Sequence, residues 1–412
     1  MNNLISKAKF ITLVLVVVFL PFSIRLCHLS LLLFLVCCIA ESDFTNKGRI
    51  IIQNPLAWLL PLFFLLHVVG VLYSENVANA WTNVDKKIAF IVAPLIIVPA
   101  KSFTTKEIRW LCWSFVGTCL AGSITCLLDV MFRSDGDWWS RVSYTDLASG
   151  IGMHPTYLSL YCLVSVLIVF KTITNRWITA TLIIYFLVFI VFLSSRIVII
   201  STALVMLAVA IGNSRRILMI ACVAIMALAL FVNPVSFYRN FRQYTKENFA
   251  WPPAKMSDNP ISIRMSLLWL SMKAVGETNP VIGAGTGDVN DTIAALGDKY
   301  DAHNILNTSD PHNQYLHTYI ALGAMGLLTL LAVFLTPLWM LFRQKEFVVC
   351  AGIIAFMLIG MTESLLELQK GIVFCTLCVS IIGNQLREVK FKMSLTDRTD
   401  RTDNALKSVR SA

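Results

Sequence analysis

The stretch DPHNQYLHTYIALGAMGLL, Asp310 to Leu328, begins with polar and titratable groups and ends as membrane filler. Asp310 suits a helix N-cap, and Pro311 suits the first turn, where its missing N–H costs nothing. His312 is then expected in that first turn, beside unpaired backbone N–H groups and the positive end of the helix dipole. Such a field disfavours imidazolium, so His312 is expected to be neutral near pH 7 and able to take a proton. The same helix start attracts phosphate. Two arginines offer complementary chemistry. Arg196 sits in FLSSRIVII between two very apolar runs, and Arg264 stands early in NPISIRMSLLWLSMKAVG. Taken alone, each reads as a snorkelling interfacial cation. Their planar forks nonetheless suit phosphate oxygens at a membrane surface. His317 and the in-span His67 are read as structural.

These residues can act together only if they share one side of a membrane. Of the 412 residues, 57% are hydrophobic and 14% charged, with a mean hydropathy of +0.72. A soluble domain would carry about a quarter charged residues. The apolar residues fall in long blocks, which predicts an all-α polytopic membrane protein. Twelve spans are expected, near 9–24, 26–40, 55–73, 87–100, 109–132, 156–170, 177–194, 197–212, 217–232, 315–342, 347–362 and 371–386. Alternation from a cytoplasmic N-terminus puts Lys7, Lys9, Lys47, Arg49, Lys101, Lys106, Arg109, Lys171, Arg176, Arg215, Arg216, Arg343 and Lys345 inside, as the positive-inside rule asks. Short outer connections are poorer in Lys and Arg, NVDKK being the exception. The net charge of +10 thus reflects orientation rather than a nucleic-acid surface. The resulting organisation is spans one to nine in 1–232, an outer loop over 233–314, spans ten to twelve in 315–386, and a basic cytoplasmic tail in 387–412.

Polar residues gather in two outer loops, 133–155 and 233–314. A loop as long as the second one has a task or is disordered, and its aromatic and helical content favours a task. The segment after Asn259 reads as a helix with Pro260 early and Gly276 as its stop. NPVIGAGTGD follows, with Gly283, Gly285 and Gly287; its spacing is not that of a dinucleotide fingerprint, and a flexible turn is expected. Asp288, Asp291, Asp298 and Asp301 match no calcium loop. The eleven cysteines all fall in apolar blocks, so neither a disulfide framework nor a metal site is expected. Span interiors hold almost no carboxylates, which weighs against an ion-coupled transporter.

Taken together, HNQYL…G from His312, R…W…A…NP…GAGTG from Arg264 and SSR ending at Arg196 resemble the O-antigen ligase/polymerase superfamily. The resemblance covers roughly residues 150 to 385, and the first five spans match only in character. It implies a GT-C-like fold and a metal-independent, cofactor-free glycosyltransferase in the bacterial inner membrane. Such an enzyme takes a glycan from undecaprenyl pyrophosphate and passes it, with inversion, to an acceptor such as lipid A-core at the periplasmic face. His312 matches the family's essential histidine, and Arg196 and Arg264 match its two arginines, as donor pyrophosphate holders. Asn313, Gln314 and Tyr315 are expected to line the same entrance. His154, at the outer mouth of span six, and Glu363, at the outer end of span eleven, are secondary candidates with interfacial structural roles as the alternative. Ligation of O-antigen is the first reading. Polymerisation or protein O-glycosylation by the same superfamily is the second, and transport of a lipid-linked glycan is the third.

Overall fold

The computed structural model describes residues 2–41, 43–133, 141–142, 144–211, 260–300 and 309–387. The ninth expected span, the first part of the long loop and the basic tail from 388 onward lie outside the described residues. The described residues are helical and contain no strand beyond an isolated bridge between Asn279 and Gly283. In chain order they form α1 (Asn2–Phe19), α2 (Ile24–Ala40), α3 (Phe44–Gln53), α4 (Pro55–Val71), α5 (Val77–Lys86), α6 (Ala89–Ile97), α7 (Thr105–Arg133) and α8 (Tyr144–Ala148). Then come α9 (Pro155–Thr172), α10 (Arg176–Phe192), α11 (Arg196–Ile211), α12 (Pro260–Glu277), α13 (Val289–Lys299), α14 (Gln314–Arg343) and α15 (Phe347–Ile359). A last helix, α16, covers 369–387.

Each expected apolar block other than the ninth falls on one of these helices. Three of them, α7, α9 and α14, are long and apolar enough to cross a membrane unaided, while α4, α10, α11 and α15 are shorter apolar helices. The protein is a helical membrane protein. Local chemistry sets several starts. Asn54, His154 and Asn175 each accept a backbone N–H of the first turn through their side chains, and Pro55 and Pro155 fill N1 of their helices.

The centre of the bundle is α9. Of its apolar window 78% is buried, against 44% for α7 and 50% for α14, so α9 is enclosed by protein where they keep a lipid-facing side. Tyr161 on α9 is fully buried, with its ring 4.8 Å from Phe374 and 5.5 Å from Phe115. By contrast α2 exposes Leu29, Leu32, Leu33 and Val36, a surface that suits acyl chains. At the opposite end from the site, Asn384 of α16 donates to the carbonyls of Ile97 and Ala100 and accepts from Phe103 N–H. It thereby satisfies backbone groups that the end of α6 leaves open.

The tenth expected span is not a simple helix. Within α14, Gly323 has φ 61° and ψ −156°, which breaks the ladder. Such a break releases two carbonyls before it and two N–H groups after it, all unaffordable in lipid if left bare. The segment after Asn279 closes all four. Ala284 N–H and Gly285 N–H donate to Ile320 and Ala321 carbonyls, while Ala324 N–H and Met325 N–H donate to Pro280 and Val281 carbonyls. The glycine-rich stretch is therefore not the flexible turn expected from sequence; it is a wedge bonded into a broken helix. Contact is backbone to backbone. A Cβ on Gly323 would lie 2.3 Å from the Val281 carbonyl carbon, and one on Gly283 2.5 Å from Leu322 N.

Candidate active site

The N-termini of α9, α11 and α14 and the connection 360–368 meet at one end of the bundle. Ser195, just ahead of α11, donates to the hydroxyl of Thr156 in the first turn of α9 (3.3 Å). Gln314 N–H, at the start of α14, donates to Gly360 O (2.8 Å). Three helix starts aimed at one place make it favourable for anions. Backbone strain collects there as well. Tyr144, Ser194 and His312 are non-glycine residues with φ of 47°, 53° and 45°. Each such conformation costs on the order of 1–3 kcal/mol, and clusters of this kind are found where geometry serves function.

His312 is not in the first turn of α14, contrary to the sequence expectation. Asn313 is the N-cap, its side chain accepting from Tyr315 and Leu316 N–H. Asp310 instead accepts His312 N–H (2.7 Å) and the Ser364 hydroxyl (2.6 Å). The asparagine wins the cap because His312 is held in the left-handed region, which starts the helix only after it. The imidazole Nδ1 lies 3.5 Å from Glu363 Oε2, and Arg264 donates to Glu363 Oε1 (3.4 Å). One carboxylate is shared by a histidine and an arginine.

The titration of His312 also shifts in the direction opposite to the one expected from the helix dipole. The carboxylate of Glu363 raises its pKa above the ordinary histidine value, outweighing burial. A full negative charge at this distance exceeds the roughly half charge of a helix end. Burial would push Glu363 up, yet the hydrogen bond from His312 and the charges of His312, His154 and Arg264 hold it below the usual carboxylate range. His154 shifts the other way, burial lowering its pKa against the opposing pull of Glu363. Glu363 is therefore the hub of the site.

Burial shifts the Tyr144 phenol upward, while the nearby charges of Arg264 and Arg196 act on it in the other direction. Tyr144 and His154 pack edge to face with ring centroids 6.3 Å apart. The structure thus brings together His312, Glu363, Arg264, His154 and Tyr144, with Arg196 close enough to act on Tyr144. Half of the Arg264 side chain stays exposed (52%), so its fork is accessible to a ligand.

Asn313, Gln314 and Tyr315 do other work than lining the entrance. Asn313 Nδ2 donates to Met361 O, Tyr315 Oη donates to Met357 O, and Gln314 Oε1 accepts Leu366 N–H. Asn313 and Gln314 tie the His312 segment to the connection 360–368, and Tyr315 ties it to the last turn of α15. His317 is buried and faces Glu367, not solvent. Asp288 caps the approach to α5, accepting Glu75 and Asn76 N–H, while Asp291 accepts from the Asn76 side chain. Sequence reasoning passed over Tyr144, Glu367 and Lys87. A usable signal existed for Lys87, which lies in the one outer connection that breaks the charge rule.

Residues 180–331 match the family model described as O-Antigen ligase. The match covers less than half of the chain, and over that segment the chain is similar to the O-antigen ligase family. The match runs from within α10 through α13 into the first part of α14, and so contains Arg196, Arg264 and His312. Glu363, His154 and Tyr144, which complete the cluster, come from outside it. No curated protein matches the chain.

Proposed function

We propose that this protein is an inner-membrane glycosyltransferase that moves a glycan from undecaprenyl pyrophosphate to an acceptor hydroxyl at the periplasmic face, with O-antigen ligation to lipid A-core as the reaction. The convergence of His312, Glu363, Arg264 and Arg196 at one end of the bundle carries this reading. A carboxylate at Nδ1 keeps a proton on that nitrogen and leaves the Nε2 lone pair for the acceptor hydroxyl. The hydroxyl oxygen bonds to the anomeric carbon as the glycan–phosphate bond breaks. Its proton passes to Nε2, and the electron pair leaves with the pyrophosphate. Arg264 and Arg196 neutralise the growing charge, a role guanidinium forks fill without a metal. Attack opposite the leaving group inverts the anomeric centre. A transporter would place coupling carboxylates within spans, whereas Glu363 and Glu367 lie on the connection 360–368.

The test is transfer in detergent from undecaprenyl-pyrophosphate-linked glycan to purified lipid A-core, with excess chelator and matched protein levels. His312→Ala is expected to lose about 10²–10⁴-fold in rate. Arg196→Ala and Arg264→Ala are expected to be severe and their lysine replacements partial, since lysine keeps the charge and loses the fork. Undiminished transfer by all three alanine variants would sink the assignment, and loss of transfer on chelation would overturn the arginine-based step. Lipopolysaccharide from a deletion strain separates the acceptors: free core with lipid-linked polymer accumulating marks a ligase, and core bearing single repeat units marks a polymerase.

A further inference from the structure

A second group of ionisable side chains is buried beside the site, and the transfer step does not use it. Lys87, at the junction of α5 and α6, is fully buried with Nζ 2.5 Å from Glu367 Oε2. The other oxygen of Glu367 lies 3.3 Å from His317 Nδ1, though without hydrogen-bond alignment, and 3.5 Å from Gln314 Nε2. His67 of α4 adds a buried ring whose Nε2 has no partner and whose Nδ1 is 3.4 Å from the Thr286 hydroxyl. Two charges removed from water are costly even when paired, and hydrophobic residues of similar volume often serve stability as well. A pair kept at such a cost calls for a task other than stability.

Its position on the chain indicates the task. Glu363 and Glu367 are four residues apart on the non-helical connection 360–368, and they engage opposite surroundings. Glu363 meets His312 and Arg264, while Glu367 turns into the bundle toward Lys87. Gln314 grips the same connection at Gly360 O and Leu366 N–H, and Gln314 Nε2 also donates to Thr318. The segment that presents the hub carboxylate is thus held from below by one buried cation.

We propose that Lys87 is a positioning residue for transfer: by pairing with Glu367 it anchors the connection 360–368 and so holds Glu363 against His312. This rests on the reading of His312 as the base. It assigns a role to a residue far outside the matched segment, from helices that resemble the family only in character.

The experiment uses the full chain in detergent with Lys87→Met, Glu367→Gln and the double variant. Two quantities are read: kcat and KM of transfer per inserted molecule, and the titration of His312 by NMR of histidine-labelled protein, assigned with His312→Ala. The groups facing His312 are Glu363, Asp310, Arg264 and His154, and none is altered by these substitutions. Each single variant is expected to lower kcat roughly tenfold or more with KM little changed. Each should also move the His312 titration down toward the ordinary histidine value. The double variant also lacks the pair, so it should stay as impaired in both as the single variants, which separates loss of the anchor from the cost of a lone buried charge. Single variants that lower only the amount of inserted protein, leaving kcat and the His312 titration as in the parent, overturn the proposal. So does a double variant that regains the parent's kcat and His312 titration. Should Lys87→Met fail to insert, Glu367→Gln alone decides through the same titration. Should His312→Ala transfer normally, the base assignment fails, yet the titration still reports whether Lys87 holds Glu363 in place.

Discussion

With a carboxylate 3.5 Å from its Nδ1, His312 becomes a stronger base and titrates higher than a free histidine. The base form is the neutral one, so transfer should rise with pH through this raised value. Glu363→Gln removes the cause. His312 should then titrate lower, and the acid limb of the pH–rate profile should move to lower pH. The plateau should fall, because a weaker, less well-oriented base transfers the proton less effectively. A pH–rate profile of transfer by parent and variant checks this; an unmoved acid limb would remove Glu363 from the mechanism. The same pairing has a stability consequence of defined sign. Because the folded value exceeds the unfolded one, the contribution is complete below the ordinary histidine range and fades as pH rises through the raised value.

At the scale of elements, the break in α14 and the wedge that fills it depend on each other. Gly323 holds a positive φ with the Val281 carbonyl carbon 2.3 Å from where a Cβ would be. Gly323→Ala must therefore strain the backbone and push the 279–285 segment away. The four cross-segment hydrogen bonds would weaken, each with a net worth of about 1 kcal/mol. Gly117, inside α7, has nothing within 4 Å of its Cβ position and no positive φ. Gly117→Ala should be neutral or stabilising by up to about 1 kcal/mol, as for glycine in a helix interior. Thermal unfolding in detergent checks the pair, with a lowered Tm expected for Gly323→Ala alone. A Tm equal to the parent's would mean that the wedge contributes nothing to cohesion.

For the molecule as a whole, orientation is the property on which the site depends. All of the candidate groups lie at helix starts or connections on one end of the bundle, while Thr174, between α9 and α10, belongs to the other. A cysteine replacing the exposed Asn290 should react with an impermeant thiol reagent in cells with a permeabilised outer membrane. One replacing the exposed Thr174 should stay protected until the inner membrane is opened. Labelling in the reverse order would turn the site toward the cytoplasm and take the periplasmic reaction with it. The buried cysteines of the spans provide a low background.

Much of the architecture follows from local sequence. The apolar blocks became helices because a backbone in lipid must satisfy its own hydrogen bonds, and residues such as Asn54–Pro55 and His154–Pro155 marked their starts. Order along the chain and the excess of Lys and Arg in short inner loops were enough to put Arg196, Arg264 and His312 on one side. What local sequence did not contain was the rotation of each helix about its axis and the depth at which neighbours meet. Those depend on packing between residues far apart in the chain. For that reason Glu363 read only as a secondary candidate with an interfacial role as the alternative, Lys87 went unnamed within the exceptional NVDKK connection, and the glycines of 283–287 read as a turn. Only tertiary packing set one carboxylate between His312 and Arg264, seated the other on Lys87, and fitted the glycine segment into the open backbone of α14. The protonation of His312 turned on that same packing, since a charge at contact distance outweighs the helix end that the sequence could foresee.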